Sequence, residues 1–156
     1  MVATDYADLS DLELLEICVF REARGEPIDG KRAVAHVVRN RVYSGITWWG
    51  EDWHSVILHR FQFSSFDLED PNADVWPSET DPAWIECCQA AEPVFNGTDP
   101  DLTQGALWYK VSTLPWPASW GDPSKYSFTI EIGRQSFYRR AEQPQQVLSV
   151  DQSTDE

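Results

Sequence analysis

The residues from Ser10 to Pro27 predict a helix that must lie at the centre of the fold. The segment opens with Ser10-Asp11-Leu12-Glu13, a capping box in which the serine and glutamate side chains each satisfy a backbone N–H group at the helix start. Gly25 and Pro27 end the helix, which we expect over residues 11–24. Its apolar residues fall nearly all round the cylinder: Leu12, Leu14, Leu15, Ile17, Cys18, Val19 and Phe20. A helix without a polar face has to be surrounded by the rest of the chain.

A second helix is predicted over about residues 29–43. Arg41 falls inside its apolar face, so we expect this arginine to have an acidic partner, with Glu22 or Glu26 the nearest candidates. His36 falls on the polar side, where we expect it to be solvated. The apolar face is broad and consists of Ala33, Val34, Val37, Val38 and Val42.

The middle of the chain predicts further helical structure. Residues 54–58 indicate a short helical piece, and residues 61–66 alternate in a way that also fits a short strand. Asp81 and Pro82 supply an N-cap and an N1 proline for a helix that reaches Asn96-Gly97. We expect Pro93 to kink or shorten its last turn.

Beyond Gly97 the apolar period changes from helix to strand. Residues 105–111 and 126–138 predict strands, and the second of these is a hairpin that turns around residues 132–135. The loop between them, residues 112–125, contains Trp116, Trp120 and three prolines, a composition typical of loops that line binding grooves. The order of elements predicts an α+β fold, with a helical core and a small antiparallel β-element toward the C-terminus.

The length of 156 residues fits one domain. We place it at residues 10–140, between a flexible N-terminus (1–9) and a flexible acidic tail (141–156). The apolar fraction of 42% is enough to build its core. The three cysteines, two of them adjacent, predict no disulfide framework, and the histidines lack metal-site spacing. We expect no metal and no cofactor.

The charge balance limits the partners. Twelve basic residues against 26 acidic ones give a net charge of −14, which repels nucleic acid and anionic membranes. No apolar run approaches the length that spans a bilayer. The N-terminal residues lack the features of a secretory signal, so we expect synthesis in the cytoplasm without a signal peptide. We also expect the protein to be a monomer.

Glu22 is the candidate for acid/base chemistry. It lies at the end of the buried helix, beside Leu15, Cys18 and Val19 on the same helix and close to Gly25. Apolar neighbours favour the protonated form of a carboxyl group, as a general acid requires. Position alone equally allows a structural ion pair with Arg41 or Arg24.

Several sequence blocks resemble the SleB-type cell wall hydrolases, a family that includes the spore-cortex-lytic enzymes. The blocks occur in the family's order and span roughly residues 12–139. They are FREARGE (20–26), AVAHVVRNRV (33–42), VILHRFQFS (56–64), GALWYK (105–110), Pro115-Trp116 and TIEIGRQSFY (129–138). The chain departs from the family at Arg21, Phe61 and Gln135, where members commonly carry an aromatic residue, a glycine and a histidine.

The resemblance implies a lysozyme-like helical core and cleavage of the β-1,4 bond between N-acetylmuramic acid and N-acetylglucosamine in peptidoglycan. The glutamate that opens E-A-R-G-E corresponds to Glu22, which implies that it is the catalytic acid. It would protonate the glycosidic oxygen and then accept the C6 hydroxyl proton of the muramoyl sugar, which gives a 1,6-anhydro product. The net negative charge disfavours contact with anionic wall polymers, so this function needs a locally neutral groove.

We expect the sugar to contact neutral and aromatic side chains. Polar uncharged groups at Gln62, Ser64 and Ser65 suit acetamido and hydroxyl groups, although each serine fits a loop or cap role as well. Tyr109 matches the family's tyrosine and could orient the cleaved sugar or only pack. Aromatic rings that could stack on sugar faces are Trp108, Trp116 and Trp120, with Tyr138 a further candidate in the last family block.

Two other functions stay open from the sequence. A muramidase would hydrolyse the same bond with Glu22 and a second carboxylate, for which Asp67 is the candidate. A glycan-binding module without catalysis would use Glu22 only as structure. Because the N-terminus resembles no export signal, we expect an enzyme of this kind to reach the wall on a phage or phage-like particle, or through a membrane pore made by another protein.

Overall fold

The structure is a computed structural model that describes residues 6–59 and 76–141. Helices precede a small antiparallel sheet in these residues, which confirms the predicted α+β fold. The helices are α1 (Asp11–Ala23), α2 (Ile28–Val42), α3 (Trp53–Leu58) and α4 (Pro82–Asn96). The strands are β1 (Trp108–Val111), β2 (Tyr126–Ile132) and β3 (Gln135–Arg140), in the order β1-β3-β2.

Helix α1 is the buried central helix that its sequence predicts. Ser10 Oγ accepts a hydrogen bond from the Glu13 backbone N at 3.1 Å, and Glu13 Oε1 accepts one from the Ser10 backbone N at 2.9 Å. The helix packs against α2, α3 and α4. Its side chains Leu14, Leu15, Ile17, Cys18 and Val19 are fully buried.

Helix α4 continues through Pro93 to Asn96, so the predicted shortening is wrong. Proline removes one N–H donor from the helix, yet the helix keeps its last turn. Gly97 adopts a left-handed conformation (φ 79°) that ends the helix. Arg39 of α2 then donates to the carbonyl oxygens of Val94 and Phe95 in the last turn.

Strand β1 begins at Trp108, three residues later than predicted. The carboxylate of Asp101 accepts hydrogen bonds from the backbone N atoms of Thr103 and Gly105, at 2.8 and 3.0 Å. These bonds fold residues 101–105 into a turn, because N–H groups bound to a local carboxylate are not free for a strand ladder.

The sheet packs one face on the helices. Phe137 lies opposite Tyr109 in the β1–β3 ladder, and both contact the Ala33 and Val37 side of α2. An irregularity in β2 between Phe128 and Ile130 changes the pairing. As a result Ile130 joins this inner face, whereas Phe128 turns outward and is 56% exposed.

His36 is buried, so the prediction of a solvated histidine is wrong. The side chain is 2% exposed, and its Nε2 lies 2.8 Å from Asp99 Oδ2. Arg32 also contacts Asp99, and Asn40 donates to Asp101 at 3.0 Å. The polar side of α2 therefore faces the segment that leads into β1 and not solvent.

We predict that Asp101 makes the fold sensitive to acid. Burial alone would raise the pKa of Asp101, but hydrogen bonds from Thr103 and Asn40 outweigh it and lower the pKa. The resulting stability is present above the ordinary carboxyl pKa and is lost as the pH falls through the lowered value. Asp101→Asn should cost about 1–3 kcal/mol at neutral pH and flatten the acid limb of melting temperature against pH. Glu131→Gln, at an exposed β2 position, should change neither.

The three cysteines are free, and Cys18 and Cys87 are buried. No helix in residues 6–59 and 76–141 is both long and apolar enough to cross a membrane.

Candidate active site

Glu22 joins the helical core to the sheet. It lies half-buried in the last turn of α1. The hydroxyl group of Tyr109 in β1 donates a hydrogen bond to Glu22 Oε1 at 2.6 Å. The two residues are 87 positions apart in the sequence. The distance between their oxygen atoms is in the range of charge-assisted hydrogen bonds.

Tyr109 is a permanent donor in this pair. Its ring is half-buried, but the hydroxyl end is deep. Burial first, and then the negative charge of Glu22 and the thiol of Cys18, raise the pKa of Tyr109 well above its ordinary value. The phenol therefore keeps its proton throughout the physiological range and offers it to Glu22.

Arg41 supplies a buried positive charge beside this pair. The side chain is 5% exposed, and its Nε donates to the Leu107 carbonyl at 2.7 Å. Its guanidinium lies 4.9 Å from the ring centroid of Trp49. Burial lowers the pKa of Arg41 to about 10, against the opposing effect of Tyr109, Cys18 and Glu22, so the group stays charged at neutral pH. Of the two predicted acidic partners, Glu22 is the one whose charge acts on Arg41.

Glu26 is occupied elsewhere. Its side chain is buried, and its Oε2 accepts a hydrogen bond from Arg134 Nε at 2.9 Å. Its Oε1 accepts one from the Arg134 backbone N at 3.0 Å. The side chains of the two glutamates of E-A-R-G-E therefore bond to different residues, Glu22 to Tyr109 and Glu26 to Arg134.

The surroundings of Glu22 are more polar than the helix alone predicts. Cys18 on α1 is fully buried and close enough for the charge of Glu22 to raise its pKa, after burial as the main cause. Tyr109 and Arg41 come from β1 and α2, which the pattern of one helix cannot reveal. The site combines an acid, a fixed donor and a fixed cation.

The predicted aromatic residues divide between the two faces of the sheet. Side chains alternate along a strand, so Tyr109 faces Glu22 while Trp108 lies on the other face, directly opposite Tyr138 in β3, and packs against the edge of the helical core. Trp116 contacts Tyr138 edge to face at 5.3 Å between centroids. Trp120 packs on the same group and stacks with Tyr126 at 5.4 Å. The structure thus brings Trp108, Trp116 and Tyr138 together, apart from Tyr109.

Trp49 links Glu22 and its neighbours to the outer cluster, the group of packed rings formed by Trp108, Trp116, Trp120, Tyr126 and Tyr138. Trp49 lies under the Arg41 guanidinium on one side and contacts Trp108 edge to face at 5.6 Å on the other. Trp116 Nε1 donates to the Gly121 carbonyl at 2.8 Å, and the Tyr126 hydroxyl donates to the Trp120 carbonyl at 2.7 Å. These bonds hold the side chains of Trp116 and Tyr126 against the loop backbone.

Nothing in the sequence singles out Trp49, Tyr126 or Arg134 as site residues. Cation–π and cross-strand contacts leave no local signal, and an arginine after a turn glycine is usually solvated. Other predicted residues, Gln62, Ser64, Ser65 and Asp67, together with Phe61, lie outside the described residues.

Comparisons with known proteins give the family. The model of the family described as Cell Wall Hydrolase matches residues 25–138. Glu22 lies just before that range. The spore cortex-lytic enzyme of Bacillus subtilis (strain 168) is 32% identical over 117 residues, which are 73% of this chain and 34% of the relative. The chain therefore spans about a third of that relative's length.

Two solved structures share the fold. The catalytic domain of the Bacillus cereus SleB protein matches with a TM-score of 0.63 and 28% identity, over 83% of this chain and 89% of the other. The catalytic domain of the germination-specific lytic transglycosylase SleB from Bacillus anthracis matches with a TM-score of 0.63 and 26% identity, over 88% and 100%. Sequence blocks, element order and fold agree, and the chain belongs to the cell wall hydrolase family.

Proposed function

We propose that this chain degrades peptidoglycan as a lytic transglycosylase, with Glu22 as its acid/base group. The observation that carries the proposal is the hydrogen bond from Tyr109 to Glu22, because it joins the first glutamate of E-A-R-G-E to the tyrosine of the Gly-Ala-x-x-Tyr block. Family membership and a structural relative described as a lytic transglycosylase support the reaction type.

The reaction needs one carboxyl group. Protonated Glu22 donates its proton to the glycosidic oxygen as the bond from that oxygen to C1 of the muramoyl sugar breaks. The C6 hydroxyl of the same sugar then attacks C1, and the Glu22 carboxylate accepts its proton. The carboxyl group ends as it began, and the product is a 1,6-anhydromuramoyl end.

Tyr109 and Arg41 assist Glu22 without exchanging protons with the sugar. The Tyr109 hydroxyl holds Oε1 and so fixes the orientation of the carboxyl group. After the first proton transfer the carboxylate faces a phenol donor and the buried charge of Arg41. A charge that develops there meets dipoles already in place, which is the usual source of electrostatic catalysis.

Substrate binding remains a proposal for the residues that the sequence selected. Trp108, Trp116 and Tyr138 belong to one group of packed aromatic rings, and the preference of sugar faces for aromatic rings suits them to a glycan strand. Gln62, Ser64 and Ser65 are assigned to the acetamido and hydroxyl groups on their chemistry. A single copy of the chain supplies every protein group in this scheme.

The test is the mass of the products released from purified sacculi. A lytic transglycosylase gives muropeptides with anhydromuramoyl ends. A muramidase that uses Glu22 and Asp67 gives the same fragments heavier by one water, and a glycan-binding module releases none. Anhydro ends from the wild-type chain support the proposal, and either of the other results rejects it.

A further inference from the structure

We propose that Glu26 and Arg134 form a latch that positions Tyr109 against Glu22. This inference rests on the proposed function for its catalytic consequence, but the latch itself is a property of the fold. Glu26 would be a positioning residue, because it acts on the acid only through the sheet. The evidence is its burial, the shape of its slot and the connection from the hairpin to β1.

Arg134 donates the hydrogen bonds that stabilise the buried Glu26 carboxyl group. The Glu26 side chain is 4% exposed, whereas that of Arg134 is 74% exposed. Arg134 nevertheless donates two hydrogen bonds to the Glu26 carboxyl group, from its backbone N at 3.0 Å and from its Nε at 2.9 Å, and its Nη2 lies 2.9 Å from Glu26 Oε2. A buried carboxylate without hydrogen-bond partners destabilises a fold. The bonds from Arg134 therefore keep the tip of the β2–β3 hairpin next to Glu26.

Two glycines shape the slot around this carboxylate. Gly133 has a φ of +60°, and a Cβ atom there would clash with Glu26 Oε1. A Cβ atom on Gly30 of α2 would lie 2.9 Å from Glu26 Cβ. Helix α2 and the β2–β3 turn therefore both pack closely against Glu26. Each close contact requires a glycine, Gly30 in α2 and Gly133 in the turn, because a side chain there would clash.

The hairpin connects this attachment to Tyr109. Arg134 directly precedes β3, and Phe137 of β3 pairs with Tyr109 of β1. The Arg134 carbonyl also accepts a hydrogen bond from the Ser112 backbone N at 2.8 Å, just after the end of β1. Strand β1 is thus tied to the hairpin tip at its end and along its ladder.

The sheet is consequently attached to one short segment of chain at two points. Tyr109 bonds to Glu22 in the last turn of α1, and Arg134 bonds to Glu26 in the turn that follows. The Glu26 backbone N donates to the Ala23 carbonyl at 2.9 Å, which keeps the two glutamates in one compact unit. One attachment would act as a hinge; two fix the position of β1 relative to the acid.

The latch is tested with Arg134→Met, Glu26→Gln and the double variant. Arg134→Met removes the guanidinium from an exposed side chain and keeps the backbone bond, so the protein should fold. Glu26→Gln replaces one of the two accepting oxygens with an amide N–H group, which faces the Arg134 donors and cannot accept their hydrogen bonds. Arg140→Met is the matched control, because Arg140 is an exposed arginine at the other end of β3.

Two readouts separate positioning from general stability. One is turnover of soluble glycan strands, with kcat and KM measured below the melting temperature of each variant. The other is the nuclear magnetic resonance signal of ζ-carbon-labelled tyrosine, assigned to Tyr109 with Tyr109→Phe and calibrated by the shift that Glu22→Gln causes. The second readout needs no substrate.

We expect Arg134→Met and Glu26→Gln each to lower kcat about 10- to 100-fold, since small misplacements of reacting groups have effects of that size. KM should change less than kcat. The Tyr109 signal should move toward its position in Glu22→Gln. Compared with Arg134→Met, the variant Arg134→Lys should have a higher kcat and a Tyr109 signal closer to that of the wild type. The double variant should be no worse than Glu26→Gln, because the donors no longer oppose each other. Arg140→Met should resemble the wild type.

An unmoved Tyr109 signal in folded Arg134→Met and Glu26→Gln would overturn the latch, as would an equal effect of Arg140→Met. Failure of the proposed function looks different. If the wild-type chain cleaved no peptidoglycan, the function would be rejected, while the Tyr109 signal in the same variants would still decide whether the latch exists.

Discussion

Replacing Glu22 by Gln is expected to lower the rate at which this protein clears suspensions of sacculi by about 100- to 10,000-fold, the usual contribution of a general acid. The amide keeps the size of the side chain and can still accept the Tyr109 hydrogen bond. It cannot donate a proton to the glycosidic oxygen or accept one from the C6 hydroxyl. The loss should therefore appear in kcat, with the melting temperature close to that of the wild type.

The matched control is Glu92→Gln, at an exposed position of α4, which should clear sacculi like the wild type. Binding of the glycan should survive in Glu22→Gln and can be followed by the tryptophan fluorescence of the outer cluster. Clearing by Glu22→Gln at more than about a tenth of the wild-type rate would contradict a general-acid role.

Tyr109→Phe should have the second largest effect. The change removes one hydroxyl group and keeps the ring that packs on Phe137. A hydrogen bond to a charged group contributes about 1.5–3 kcal/mol, and each 1.36 kcal/mol corresponds to about a tenfold change in rate. We therefore expect kcat to fall about 10- to 100-fold, with KM less affected, because Tyr109 acts on the carboxyl group and not on the distant sugars.

Tyr43→Phe is the control for this change, since Tyr43 is 66% exposed at the end of α2. It should leave the rate unaltered. A loss confined to KM in Tyr109→Phe would instead indicate that this hydroxyl contacts the sugar, which is the role that the sequence first suggested for it. No change in either constant would remove Tyr109 from the mechanism.

The local parts of the fold were predictable from the sequence. The capping box of α1 and the N-cap of α4 involve residues within three positions of each other, so their patterns are complete in the sequence. The burial of α1 also followed, because its apolar residues leave no face for solvent. Family blocks then identified Glu22 and Tyr109 as important residues, without indicating that they touch.

The parts that could not be predicted are contacts across the chain. Tyr109 reaches Glu22 only because β1 pairs with β3 and the sheet packs on α2. His36 has a polar-face position on its helix, and nothing nearby in sequence announces that Asp99 covers it. The late start of β1 has the same origin, since Asp101 competes for backbone donors that the strand pattern assigned to the ladder.

The two glutamates of E-A-R-G-E illustrate this limit most clearly. Glu22 ends an apolar helix and Glu26 follows it, and the sequence singled out Glu22 by its apolar neighbours and by family resemblance. In the structure Glu22 is half-buried with a phenol donor, whereas Glu26 is buried with Arg134. A buried carboxyl group held by Arg134 in a tight slot suits a structural role, and a less buried one beside the Tyr109 hydroxyl suits proton transfer.

The most direct test of the central claim is cleavage of sacculi in water labelled with heavy oxygen, followed by mass spectrometry of the new muramoyl ends. If Glu22 acts as acid and then as base on the sugar's own C6 hydroxyl, those ends carry no label and are anhydro sugars. Ends that carry one labelled oxygen would show that water was the attacking group and would contradict the account.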